Sequence, residues 1–462
     1  MDQDMLAELP TSGDAAEGYK YFMRVDPEMR DFLGPIETDY DTVTRREMRS
    51  RLSKIAMLRG STNLVEHRVY LDPVPHIRQD KGQDLRGWYS SKGDGAIRGK
   101  RERPCMTDAI LTQPYGGHCS VNCPFCYLIS GHRGYRGSGL ISVPLGYGEQ
   151  VRRQLKGMIS SQAGYFSSFN DPFLSVEDYY HNTQNGAQAF VDEGLPIFFL
   201  SRLNYHGWAF DMLQKNRHSY MQKSINTPDE DDWKKLSPGA ASLEEHFAEI
   251  REARRRGIYV SIQVNPIVAG IVTHDDIERL FEKLAEAGVN HVIVKFVEAN
   301  YPWASAMVEK MVKRFGANRA EIFKQLFTEN SAGQQKTIQR EYRIEGHARY
   351  QRKATVLGMT YATCYEYDKN ADGTHRSIGK DWLTGDTCHG HRVPFYVRPT
   401  LGKPFAPLAA CPPSGCLSCA DTTTDKKGQC GSTLLGAAKA LKIGDLRKSF
   451  DGVIAPEESG FA

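Results

Sequence analysis

The chain predicts an α/β fold: a partial parallel (β/α) barrel with a basic N-terminal extension and a small metal-stapled C-terminal region. Three observations carry this expectation. Short apolar runs alternate with segments of helical length from about residue 104 to 362, the pattern of parallel strands joined by helices. Two of those helical segments open on a capping arrangement and close on glycine. The ten cysteines gather in two groups, around 119–126 and from 364 to 430, rather than spreading as a disulfide framework would. Residues 1–103 then form the basic extension, 104–362 the barrel and 363–462 the cysteine-rich region.

Taken in order, residues 1–40 read as an irregular lead, and "DTVTRREMRSRLSKIAML" as helix-forming with Thr42 or Thr44 as cap. The Gly-, Ser- and charge-rich stretch 82–99 reads as loop. Strands are expected at 196–200, 220–225, 258–264 and 291–297, with a last one in "GMTYATCYEY". Helices are expected at 175–193, 242–257, 274–288 and 303–315. Ser242 with Glu245 forms a capping box closed by Gly257; Thr273 repeats the arrangement, ending at Gly288. A sheet of this kind carries its site at the carboxyl ends of its strands, and the first cysteine group falls where the first strand ends.

Composition narrows the class. With 40% hydrophobic and 25% charged residues the chain is an ordinary globular protein. The acidic, polar N-terminus lacks the order of a signal peptide, and no apolar run approaches the ~20 residues of a membrane span. A cytoplasmic protein with reduced cysteines is expected. Net charge is only +3, but between residues 45 and 103 fifteen Lys and Arg face seven acids. That imbalance suits a polyanion, nucleic acid in particular, or else a solvated helix face.

The chemistry is concentrated in "GGHCSVNCPFCYL", where Cys119, Cys123 and Cys126 stand three and then two residues apart. Three thiolates can hold three irons of a cubane and leave the fourth open, whereas structural zinc and electron-transfer clusters close all four positions. The spacing resembles that of the radical S-adenosylmethionine (radical SAM) enzymes. The resemblance implies a 4Fe–4S cluster whose open iron chelates SAM, reductive cleavage to a 5′-deoxyadenosyl radical, and Phe125 against the adenine. "GYGE" (146–149) looks like the family's Gly-Gly-Glu motif but follows no clear strand.

A narrower resemblance covers about residues 113–300. "YFSSFNDPFLSVEDYYHNTQ", "FFLSRLN" and "KSINTPDEDDWKKLSPGAASLEEHFAEIREARRRGIYVSIQVNPIVAG" are similar, in order and spacing, to the spore photoproduct lyase-like branch. It implies cofactor contacts at successive strand ends. Ser167, Ser168, Asn170 and Asp171 would accept from the SAM amino group, Arg202 would hold its carboxylate bidentately, Ser224 and Asn226 would bond carboxylate or ribose, and Asn265 ribose or adenine.

The second group, Cys388, Cys411, Cys416, Cys419 and Cys430, could hold a second 4Fe–4S cluster or a zinc ion, with His389 and His391 able to join. Cys364, at the expected end of the last barrel strand, is the candidate catalytic residue: a hydrogen-atom donor, an auxiliary ligand, or packing. The reaction expected is hydrogen abstraction followed by rearrangement or cleavage of a thymine-type base in DNA, plain or modified, with a reducing partner such as flavodoxin or ferredoxin. Radical modification of a peptide or small metabolite is the alternative, and a non-catalytic metal-stapled binding protein the second.

Overall fold

A computed structural model describes residues 109–117, 119–126, 140–144, 146–156, 160–161, 163–166, 170–331, 335–385, 387–394, 396–398 and 402–407, together with three strands, Lys20–Met23, Asp41–Thr44 and Arg68–Asp72. Its centre is a seven-stranded sheet whose strands we label β1 (Ile110–Thr112), β2 (Gly164–Phe166), β3 (Ile197–Ser201), β4 (Tyr220–Ser224), β5 (Tyr259–Ile267), β6 (His291–Phe296) and β7 (Thr360–Thr363). Neighbours in space are neighbours in this order, and every pairing is parallel. β1 and β7 are the two edges, so the sheet is an open, partial barrel rather than a closed one.

The connecting helices are α1 (Tyr147–Lys156), α2 (Asn182–Asp192), α3 (Gly207–Gln214), α4 (Glu230–Leu236), α5 (Leu243–Arg255), α6 (His274–Glu286), α7 (Tyr301–Phe315), α8 (Ala317–Leu326) and α9 (Arg340–Val356). Alternate strand residues face them. Phe199, Met221, Val260, Ile262, Val292, Val294 and Tyr361 join the helices' apolar stripes in one large core. The two expected capping boxes are present, Ser242 with Glu245 and Thr273 with Asp276. The segment 175–193 is not one helix. His181, in left-handed conformation at φ 52°, separates the turn Glu177–Tyr180 from α2. Thr42 and Thr44, expected as helix caps, lie in a strand paired with Lys20–Met23, in keeping with the β-branched run Thr42-Val43-Thr44.

The other face of the sheet is the inner one. Its amino-terminal row is aromatic: Tyr165 stacks on Phe198 at 4.6 Å and Phe198 on Tyr220 at 4.4 Å. The chain after β7 returns across this row. His391 stacks on Tyr259 at 4.5 Å, and Tyr220 Oη lies 2.6 Å from His389 Nδ1. Tyr396–Val397 then pairs with Ser160–Ser161 just before β2, and buried Arg398 donates to Glu193 Oε2 at 2.7 Å. The returning segment thus closes the amino-terminal end of the sheet and leaves the carboxyl end for chemistry.

Candidate active site at the carboxyl ends of the strands

The cysteine loop follows β1 and is held from below. Asn122 adopts φ 52°, and the Asn122 and Cys126 amides donate to the Cys119 and Cys123 carbonyls at 3.1 and 3.2 Å. Upstream, the Tyr115 hydroxyl donates to Glu177 Oε2 at 2.5 Å and accepts from the Asn182 amide at 3.1 Å. Glu177 also accepts from the Thr183 and Gln184 amides, both at 2.8 Å, and so caps α2. Burial pushes the Glu177 carboxyl up to about 7, against the pull of Tyr115, Thr183 and Gln184. Asn170 Nδ2 donates to the Gly116 carbonyl at 3.2 Å. These contacts fix the direction in which the loop leaves the sheet.

Cys119, Cys123 and Cys126 are half-buried and in no disulfide. Among the described residues no three His, Cys, Asp or Glu side chains converge closely enough to hold a metal ion, these thiols included. The donor chemistry nevertheless fits a cluster: three reduced sulfurs share one short loop beside cationic side chains. Burial lowers the pKa of Lys310, with Arg314 adding to it and Cys126 opposing; burial likewise lowers Arg314, with Cys123 opposing. Such cations offset the negative charge that thiolate ligation brings.

Arg202 ties the strand ends together. Its amide donates to Asp171 Oδ2 at 2.8 Å, Nη1 to Ser237 Oγ at 2.9 Å, and Nη2 to the Asn265 carbonyl at 2.7 Å. Its guanidinium lies 5.4 Å from the Phe125 ring centre and 5.3 Å from that of Trp233, a cation–π arrangement on both rings. Phe125 is buried in the core beside it. Asp171 is also buried, and it accepts from Ser201 Oγ at 2.8 Å and the Phe173 amide at 3.0 Å as well as from Arg202. Its carboxylate therefore braces β2 against β3. Burial raises its pKa, opposed by those donors and by Lys223.

Ser224 Oγ donates to the Asn265 carbonyl at 3.3 Å, and Asn226 Nδ2 to the Pro266 carbonyl at 2.8 Å. Asn226 Oδ1 is buried with no hydrogen-bond partner among the described residues. An orphan acceptor of this kind asks for a donor that the described residues do not supply, and the hydroxyls and ammonium of SAM are such donors. Asn265 Nδ2 leans on Gln263 Oε1 at 3.4 Å, and Gln263 Nε2 donates to Gln222 Oε1 at 2.9 Å. The site brings together Phe125, Asn170, Asp171, Arg202, Ser224, Asn226 and Asn265. Ser167 and Ser168 lie outside the described residues, as do Cys411, Cys416, Cys419 and Cys430.

Cys364 directly follows β7 and is half-buried, its amide donating to the Val294 carbonyl at 2.9 Å. The next residue, Tyr365, has φ 51°, and Lys295 Nζ donates to its carbonyl at 2.8 Å and to Glu298 Oε2 at 2.7 Å. Cys388 is buried against Ala362 with Tyr365 and Leu383 around it, an apolar setting. His389 and His391 are spent on the aromatic row, and burial lowers them to about 3 and about 4. "GYGE" proves to be the start of α1, with Gly146 at φ 61°.

Sequence reasoning missed Glu177, Tyr115, Trp233, Ser237 and Lys295. Ser237 stood in the quoted "LSPG", but its partners Arg202 and Cys123 are 35 and 114 residues away.

No family model matches the chain. The radical SAM Nα-GlyT isomerase of Pseudomonas phage M6 is 56% identical over 461 residues, covering 97% of this chain and 95% of its own length. Among solved structures, a spore photoproduct lyase mutant with bound AdoMet and dinucleoside spore photoproduct is 15% identical with a TM-score of 0.45, covering 69% of this chain and 84% of that one. Streptococcus suis SuiB bound to S-adenosylmethionine is 12% identical with a TM-score of 0.35, covering 56% and 48%.

The phage relative corrects two expectations. Its name gives Nα-GlyT and makes no mention of DNA, so DNA is withdrawn as the expected partner; a run of like charge reports a field, not a substrate. It also overturns the reading of a non-catalytic binding protein, since the relative is an isomerase. Among the described residues no helix is long and apolar enough to cross a membrane. A relative matched across nearly the whole chain decides the family: this chain belongs to the radical SAM enzymes.

Proposed function

We propose that this chain isomerises a substrate of the Nα-GlyT type. The observation that carries this is the 56% identity to the phage isomerase over 97% of the chain. Cys119, Cys123 and Cys126 would hold a 4Fe–4S cluster, and Arg202, Ser224, Asn226 and Asn265 would hold SAM. When bound, cluster and SAM supply a 5′-deoxyadenosyl radical that removes a hydrogen atom from substrate.

The protein's own part is binding and orientation. Asn226 Oδ1 accepts from a SAM hydroxyl or ammonium, which removes the cost of an unpaired buried acceptor. The Arg202 guanidinium, pinned by Ser237 and the Asn265 carbonyl, presents a preformed cation to the SAM carboxylate. Asp171 acts through Arg202 and Ser201 as a brace. An isomer holds the same atoms as its substrate, so the hydrogen removed must be replaced. Cys364 supplies it in this reading: its S–H bond gives a hydrogen atom to the rearranged radical. The thiyl left behind takes one electron, from dithionite in the assay, and one proton from solvent.

A second metal on Cys388, Cys411, Cys416, Cys419 and Cys430, as 4Fe–4S or zinc, is supported by spacing alone, and the apolar setting of Cys388 argues against that residue as a ligand. The test is anaerobic reconstitution with iron and sulfide, then incubation with SAM, dithionite and Nα-GlyT. The expected result is 5′-deoxyadenosine and a product of unchanged mass and altered retention, both lost when the three loop cysteines are replaced by Ala. A chain that binds iron but leaves SAM intact, or one that cleaves SAM and leaves Nα-GlyT unchanged, would overturn the proposal.

A further inference from the structure

We infer that Ser237 is a positioning residue for the cysteine loop, its hydroxyl donating to the Cys123 sulfur and thereby raising the reduction potential of a cluster held there. The inference rests on the radical SAM reading only in requiring that a cluster binds to this loop.

The direction of the bond follows from its neighbours. Ser237 Oγ lies 2.9 Å from Arg202 Nη1 and 3.7 Å from Cys123 Sγ. A guanidinium carries donors and no acceptor, so Ser237 must accept from Arg202. Its one hydroxyl hydrogen is then left to donate, and the sulfur is the acceptor that the contact offers. Arg202 polarises the hydroxyl and makes it a stronger donor. Ser237 is 1% exposed, so bulk water does not compete for that hydrogen.

The hydroxyl is also held in place. The Ser237 amide donates to the Trp233 carbonyl at 2.7 Å, and Trp233 Nε1 to the Ala241 carbonyl at 2.7 Å. Two residues on, the Gly239 amide donates to the Val121 carbonyl at 3.1 Å. A Cβ on Gly239 would collide with the Ser120 carbonyl oxygen, so only glycine lets the Ser237-Pro238-Gly239 segment lie flat on the loop. The segment and the loop behave as one piece.

The consequence is electrostatic. Reduction adds negative charge to a cluster and its sulfurs, and a hydrogen bond to a ligand sulfur stabilises the more electron-rich state. Ser237 also joins that sulfur directly to the Arg202 guanidinium, the group proposed to hold the SAM carboxylate.

The experiment is a redox titration of the reconstituted full-length protein, followed by electron paramagnetic resonance, for wild type, Ser237→Ala and Ser237→Thr. Iron content and circular dichroism are measured alongside. The Ala variant is expected at a more negative midpoint than wild type, with the Thr variant returning to the wild-type value. Equal midpoints in all three overturn the inference and leave the radical SAM reading standing. A wild-type chain that takes up no cluster overturns both. Should the Ala variant lose its iron, Ser237→Val against Ser237→Thr, matched in size, makes the same comparison, and equal midpoints there overturn the inference too.

Discussion

Arg202 and Asn265 are joined across an intervening strand: Arg202 Nη2, at the end of β3, donates to the Asn265 carbonyl of β5 at 2.7 Å, over the end of β4. The same guanidinium reaches Ser237 through its other nitrogen. A planar fork makes both bonds at once, and a lysine ammonium on a flexible stem does not reproduce them. Arg202→Lys should therefore weaken SAM binding to the reconstituted protein by roughly tenfold or more, the scale of one charge-assisted hydrogen bond. Equilibrium dialysis measures this, and unchanged SAM affinity in the Lys variant would count against the clamp.

Gly239 makes a structural prediction at the same place. Its missing side chain is what allows backbone contact with Ser120 and Val121. Gly239→Ala should push the loop outward, cost about 1–3 kcal/mol as overpacking does, and lower iron uptake with the far-ultraviolet spectrum retained. Gly207, which has open space at its Cβ position, serves as the control: Gly207→Ala should keep its iron.

Much of this was legible in advance, for identifiable reasons. Strand positions were readable because buried parallel strands are runs of β-branched and aromatic residues, as in "IFFLS" and "HVIVKF". α5 and α6 were readable from their caps. α9 was not: its sequence "REYRIEGHARYQRKATV" has no apolar stripe, because Arg343 and His347 are among its buried residues. Arg343 donates to buried Glu366 at 2.9 Å, and His347 Nδ1 lies 2.8 Å from Tyr361 Oη. Polar residues buried for their partners look like surface residues in a sequence. The same holds for Glu177 and Tyr115, 62 residues apart, where no local pattern announces the pair.

Cys364 makes an isotopic prediction. Its S–H exchanges with solvent, whereas a hydrogen on the 5′ carbon of deoxyadenosine does not. Turnover in D2O should place deuterium in the product if Cys364 returns the hydrogen atom, and Cys364→Ala should lower product formation at least tenfold while SAM cleavage continues. Product free of deuterium, formed at a normal rate by the Ala variant, would remove Cys364 from the mechanism and leave it a packing residue beside Lys295.

The pH dependence of stability should have two limbs of opposite sign. Burial pushes Glu177 up to about 7, above the ordinary value of 4.5. A carboxyl raised in this way contributes stability that is complete below about pH 4.5 and lost as pH rises through 7. The loss is at most about 3 kcal/mol. His291 and His389 run the other way, because burial lowers them to about 4 and about 3 from an ordinary 6.5. Their contribution is complete above about pH 6.5 and drains as pH falls toward 4. Stability should peak where the limbs cross, at about pH 7. Glu177→Gln removes the alkaline limb and leaves the acid one. It also costs a hydrogen bond at every pH, because one of the three donors on Glu177 would then face an amide NH2. Urea midpoints from pH 4 to 9 measure both effects, and parallel curves for wild type and the Gln variant above pH 6 would show that Glu177 is not the group titrating there. Because Glu177 holds Tyr115, and Tyr115 leads into the cysteine loop, the alkaline limb should carry a parallel loss of cluster retention in wild type that the Gln variant shows at all pH values.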